Sequence, residues 1–163
     1  MAKIAIMGFG TVGSGVLEVC RRNAASIARR AGEPVEVKYI LDVRDFPDSP
    51  YRDCFVKDFG VIESDPEVDI VVETIGGATV ALDFTTRALK AGKSVVSSNK
   101  ELVATHGYEL LQLAREHGVS YLFEASVGGG IPILRPLTSC LAANELSPVS
   151  YTHLRAHETL SDL

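Results

Sequence analysis

Six residues near the start of the chain, Gly8-Phe9-Gly10-Thr11-Val12-Gly13, have the types and spacing that could cradle an anion. In a GxGxxG run the first glycine allows a tight turn, the second lets the backbone approach a bulky group, and the third brings a helix close to a strand. A helix beginning at Thr11 offers unpaired amide N–H groups and partial positive charge, which suits a diphosphate. Asp42 and Arg44 are two apart and share one side of an extended chain. At the end of a second strand, a carboxylate takes the 2′-hydroxyl of NAD and a guanidinium the 2′-phosphate of NADP. Both residue types are present, so the choice between NAD and NADP stays open. Lys100 follows Asn99, a good N-cap, and falls in the first turn of a helix, where a cation opposes the macrodipole. A local rule broken without compensation marks a candidate functional position, here one that could polarise a carbonyl or pair with a carboxylate. The competing view of Lys100 is an exposed side chain that bends into solvent.

The elements that must position these residues alternate in type. Apolar runs predict strands at residues 3–7, 35–43, 69–74, 94–97 and 120–123, and helical spacing predicts helices at 11–31, 78–91 and 101–117. Ile4–Met7, Ile70–Val72 and Val95-Val96 are continuously apolar, the pattern of strands covered on both faces. Such alternation means an α/β fold of Rossmann type: a doubly wound, mainly parallel sheet with helices on both faces. The glycine run then lies between a buried strand and a helix, the context that gives the motif its meaning. Residues 46–67 contain Pro47, Pro50 and Pro66 and read as surface loop with little regular structure.

Bulk properties restrict the function class. With 16 basic and 21 acidic residues the net charge is −5, and no basic face suggests nucleic acid or an anionic membrane. The opening apolar run is too short for a signal peptide or a span. Cys20, Cys54 and Cys140 form no CxxC and no metal-ligand spacing, which fits a reduced, cytoplasmic compartment. His153 and His157 lack a third ligand, and His106 and His117 read as helix-surface residues.

Three further stretches, taken in order behind the glycine turn, are more specific. They are Asp69-Ile70-Val71-Val72-Glu73-Thr74-Ile75-Gly76-Gly77, Ser97-Ser98-Asn99-Lys100-Glu101-Leu102-Val103-Ala104, and Glu124-Ala125-Ser126-Val127-Gly128-Gly129-Gly130-Ile131-Pro132. With them the chain resembles the homoserine dehydrogenase family over roughly residues 3–146. The resemblance implies NADPH- or NADH-dependent reduction of L-aspartate 4-semialdehyde to L-homoserine, on the route to threonine and methionine. It implies cofactor contacts from Gly8, Phe9, Gly10, Thr11, Val12, Gly13, Arg44, Thr74, Gly76, Ser97, Ser98 and Lys100, with Lys100 also at the reaction centre. It further implies a sodium-like monovalent cation held by Glu124, Val127, Gly129 and Ile131, whose oxygens are hard ligands. Complete relatives are expected to be homo-oligomers. Another dehydrogenase on the same scaffold, or a non-catalytic nucleotide-binding module, would share the glycine turn alone.

In that family a substrate-binding domain follows. Residues 147–163 do not resemble it and have no face apolar enough to extend the core. The expected organisation is therefore a nucleotide-binding domain over residues 1–146 and a flexible tail over 147–163. A chain of that kind is expected to bind nucleotide without turning over substrate.

Overall fold

The structure, a computed structural model, describes residues 1–140. Its centre is strand β1 (Ala2–Met7), flanked by β2 (Val35–Leu41) and β4 (Val68–Glu73). With β3 (Phe55–Val56), β5 (Ser94–Ser97) and β6 (Tyr121–Leu122) they form one parallel sheet in the order β3-β2-β1-β4-β5-β6. The chain builds outward from β1 in one direction, then returns and builds in the other. Between β1 and β4 the connections diverge, and a crevice opens at the carboxyl ends of the strands.

Alternation along the strands divides the core into two layers. Ala5, Met7, Leu41, Val71 and Val95 face α4 (Thr79–Lys90), α5 (Lys100–Glu116) and α3 (Phe59–Ser64) through Ala88, Leu89, Leu102, Leu110, Phe59 and Ile62. Ile6 and Ile40 face the other way, onto Leu17 of α1 (Thr11–Arg22). Helices thus lie on both faces of the sheet, as the continuously apolar strands require.

Two expectations need correction. The helix expected over 11–31 is two: α1 stops at Arg22 and α2 (Ala24–Ala31) begins after Asn23, whose φ of −103° and ψ of 14° leave helical geometry. Asparagine readily adopts such a joint, and α2 has no fully buried residue to hold it in line with α1. The segment 46–67 is not featureless. It holds a 3-10 turn (Arg52–Cys54), β3 and α3, whose N-cap Asp58 accepts from Gly60 N–H at 2.8 Å. Phe59 and Ile62, three apart on α3, are fully buried. The expected tail, residues 147–163, lies outside the described residues, and among those described no helix is long and apolar enough to cross a membrane.

At the amino edge of the sheet, opposite the glycine turn, Asp65 pairs with Lys38 Nζ and accepts from Tyr39 O–H at 2.8 Å. The Lys38 hydrogen bond, then the Glu67 amide and the Tyr39 hydroxyl, hold the Asp65 carboxyl well below the usual carboxylate range. A depressed folded-state pKa contributes stability in full above the unfolded value of about 4, and the contribution is lost progressively as pH falls from there through the folded value. Asp65→Asn is therefore expected to lower the urea midpoint at neutral pH, with the gap from wild type narrowing progressively as pH falls below about 4. A gap that is constant or widens in acid would place the stabilisation elsewhere.

Candidate functional site

The site begins where β1 ends. Gly8 turns with φ +91°, and its N–H donates to Leu41 O at 2.8 Å. Thr74 Oγ1 donates to the carbonyls of Met7 and Gly8, each at 2.9 Å, so the loop after β4 grips the glycine turn. A Cβ on Gly13 would lie 1.9 Å from Gly8 O, which shows how closely α1 sits on the turn. Nothing lies within 4 Å of a Cβ position on Gly10, the residue that caps α1. The cap supplies no side-chain hydrogen bond and the first turn has no acidic residue. The N–H groups there remain available to an anion.

A cavity of about 450 Å³ opens over this turn, bounded by Gly8, Phe9 and Gly10 on one side and by Thr74, Ile75 and Gly76 on another. Its far wall is the end of β2. Asp42 is buried there, and its carboxylate accepts from Phe9 N–H (2.7 Å), Arg44 N–H (2.8 Å), Arg44 Nε (3.0 Å) and Arg44 Nη2 (2.9 Å). The Arg44 hydrogen bond is the chief reason the Asp42 carboxyl stays well below the ordinary range. Arg44 itself is exposed; its Nη2 also reaches Phe9 O, and its guanidinium lies over the Phe46 ring. Phe46 and Phe55 pack on Phe9, with ring centroids 5.2 and 5.0 Å away. Lys57 joins this wall from the far side of β3, its Nζ donating to Val43 O and Arg44 O and pairing with Asp45 at 2.8 Å. Lys57 escaped the sequence reading. It is thirteen residues from Arg44 and arrives only because Val56 pairs with Leu41.

The loops after β4 and β5 lie on the same edge. Thr74 and Gly76 line the cavity, whereas Thr11, Val12, Gly13, Ser97, Ser98 and Lys100 do not. Ser97 is fully buried and its hydroxyl points inward, donating to Glu73 Oε2 at 2.5 Å. Ser98 Oγ makes a long contact of 3.4 Å with Glu73 O. Asn99 caps α5 as its sequence position requires, accepting from Leu102 N–H at 3.1 Å. Lys100, the first residue of α5, is exposed, and among the described residues its Nζ has no ion pair.

After β6 the chain makes a single turn, α6 (Glu124–Val127), and enters the glycine triplet. Both carboxylate oxygens of Glu124 accept backbone N–H groups, from Leu134 at 2.7 Å and Arg135 at 3.2 Å. A Cβ on Gly128 would stand 3.2 Å from Ile131 O, so glycine keeps that carbonyl uncovered. Among the described residues no group of three or more His, Cys, Asp or Glu could hold a metal ion.

The chain is similar to the homoserine dehydrogenase of Pseudomonas aeruginosa, 43% identical over 146 residues that make up 89% of this chain and 34% of that one. Among solved structures, the homoserine dehydrogenase of Thiobacillus denitrificans superposes with a TM-score of 0.81 at 41% identity, over 88% of this chain and 34% of its own. A hyperthermophilic archaeal homoserine dehydrogenase in complex with NADPH matches with a TM-score of 0.68 at 26% identity, over 83% of this chain and 47% of its own. The chain thus spans about a third of the length of the curated relatives it matches. Residues 8–124, from the glycine turn to the carboxylate after β6, match the NAD-binding domain of homoserine dehydrogenase, and the chain belongs to that family.

Proposed function

We propose that this chain is the cofactor-binding part of an enzyme that reduces L-aspartate 4-semialdehyde to L-homoserine with NADPH or NADH. The observation that carries the proposal is the cavity over the uncapped start of α1, walled by Arg44 and Lys57 at one end and by the loop after β4 at the other. Amides of residues 11–13 would hold the diphosphate, with Gly8, Phe9 and Gly10 beneath it. Arg44 and Lys57 would meet a 2′-phosphate, and Val43, Val80 and Phe84 give an apolar surface for a base. Thr74 and Gly76 would border the nicotinamide. When bound, the nicotinamide supplies hydride to the aldehyde carbon. Lys100, exposed at the same sheet edge and unpaired among the described residues, would hold the carbonyl oxygen or a carboxylate of the substrate. Ser97 and Ser98 would act through the loop rather than by direct contact, since Ser97 is turned inward.

A sodium-like ion would fall to Glu124 with the carbonyls of Val127, Gly129 and Ile131. The oxygen-only donor set and the uncovered Ile131 carbonyl fit it, and Glu124 would share its oxygens with the amides of Leu134 and Arg135. A cytoplasmic enzyme, homo-oligomeric at whole length, belongs to the same reading, and the three free cysteines are compatible with it.

The test is a chimaera in which this chain replaces the matching third of the Pseudomonas aeruginosa relative. It is expected to oxidise NADPH on addition of L-aspartate 4-semialdehyde. Lys100→Ala should cut kcat by about 100-fold or more, the usual cost of losing one preorganised stabilising group. A chimaera that binds NADPH yet ignores the semialdehyde would overturn the substrate assignment, and Lys100→Ala at full rate would remove Lys100 from the reaction centre.

A further inference from the structure

Glu73, the last residue of β4, is fully buried directly beneath the loops that border the cavity. A carboxylate is rarely kept dry unless its oxygens are matched by donors. Among the described residues Glu73 has no ion pair, and burial pushes its pKa up. Its partners are both at the functional edge: Ile75 N–H donates to Oε1 at 2.8 Å and Ser97 O–H to Oε2 at 2.5 Å. The Ser97 hydroxyl in turn accepts from Asn99 N–H at 3.1 Å. Asn99 completes the circuit, because its Nδ2 donates to Ile75 O at 3.1 Å and Gly77 O at 2.7 Å while its Oδ1 caps α5. The loop after β4 and the loop after β5 are therefore joined twice over, directly by Asn99 and through the Glu73 carboxylate, which packing alone does not require. Glu73 shares the face of Val71, in the apolar layer under α4 and α5, where a methionine or leucine would satisfy the core.

We propose that Glu73 is a positioning residue that clamps residues 75–77 to residues 97–99 and so fixes the first turn of α5, and Lys100 with it, relative to the cavity. A structural carboxylate with no such task would be replaced by an apolar residue of similar size without local consequence, since buried charges are commonly dispensable for stability. The clamp instead requires two acceptors. Glutamine keeps one and methionine neither.

Hydrogen exchange on the nucleotide-free chain tests the clamp directly. In Glu73→Met the amides of residues 75–77 and 98–102 should exchange about tenfold faster or more, with those of β1 and the glycine turn unchanged and the melting temperature held or raised. Glu73→Gln should lie between. Wild-type exchange in both loops of Glu73→Met, or equal acceleration across the whole sheet, would overturn the proposal. A second measurement rests on the dehydrogenase reading. Glu73→Met should weaken NADPH about tenfold and leave 2′-phospho-ADP-ribose, which lacks the nicotinamide, unchanged. Equal losses for both ligands would count against the clamp. If the wild-type chain binds neither ligand, the nucleotide assignment fails while the exchange result still decides the role of Glu73.

Discussion

Gly13→Ala is expected to abolish tight nucleotide binding and to lower the melting temperature by several degrees, whereas Gly10→Ala should lose the nucleotide and keep the fold. The two substitutions add the same methyl group to the same turn. At Gly13 the new Cβ would stand 1.9 Å from Gly8 O and 3.0 Å from Thr74 Oγ1. A Cβ has no rotamer to escape by, so α1 must lift from β1 or the Gly8 peptide must rotate. Rotation would also break the hydrogen bond from Thr74 Oγ1 to Gly8 O. Overpacking of this kind costs about 1–3 kcal/mol, roughly 2–4 °C per kcal/mol in a domain of this size. At Gly10 the Cβ meets nothing within 4 Å, because it points into open space over the helix start. That is the space a diphosphate would enter. Calorimetric titration with NADPH and a melting curve on each variant separate the two effects. Wild-type affinity in Gly10→Ala would mean that the diphosphate does not lie over this turn, and an unchanged melting point in Gly13→Ala would contradict the tight packing of α1.

What the sequence makes legible here is what depends on neighbours along the chain. The apolar runs of β1, β4 and β5, the glycine turn and the Asn99 cap are all local, and each is where its residues imply. β3 and α3 were hidden because two residues and six residues are shorter than the window in which a period can be recognised. Pro47, Pro50 and Pro66 dominate that stretch and argue for loop. Yet Asp58 followed by Phe59 and Ile62 is an N-cap before two apolar residues three apart, a signal that a finer reading uses. Lys57 became a site residue only through the pairing of β3 with β2, which no local pattern encodes. Ser97 illustrates the opposite case. Its alternation with buried Val95 places it on the core-facing side of β5, so its inward hydroxyl follows from a period of two. Glu73 alternates with Val71 in the same way, and a carboxylate in such a position signals a buried network rather than a solvent contact.

Arg44→Ala is expected to weaken NADPH by tenfold or more while leaving NADH binding unchanged or improved. In the nucleotide-free structure Asp42 and Arg44 neutralise each other: the carboxylate accepts three hydrogen bonds from Arg44 and one from Phe9 N–H. Arg44 directs Nε and Nη2 to Asp42 and to Phe9 O, and Nη1 has no hydrogen-bond partner among the described residues. Lys57 Nζ stands on the carbonyls of Val43 and Arg44, so two cations border this end of the cavity. A 2′-phosphate placed there would gain a charge-assisted hydrogen bond worth about 1.5–3 kcal/mol from Arg44, which is tenfold to somewhat over a hundredfold in affinity. NADH has no such phosphate to lose. Removing Arg44 also exposes the Asp42 carboxylate, which then repels a phosphate and can accept from the free ribose hydroxyls of NADH. Both consequences act in the same direction. Arg44→Lys should fall between wild type and alanine, since an ammonium keeps the charge without the planar fork. Asp42→Asn in the Arg44→Ala background should leave NADPH weak and cancel any gain for NADH, because the exposed charge is gone. Titration of all four proteins with both cofactors decides the matter: equal losses for NADPH and NADH in Arg44→Ala would place the 2′ position of the cofactor away from the end of β2.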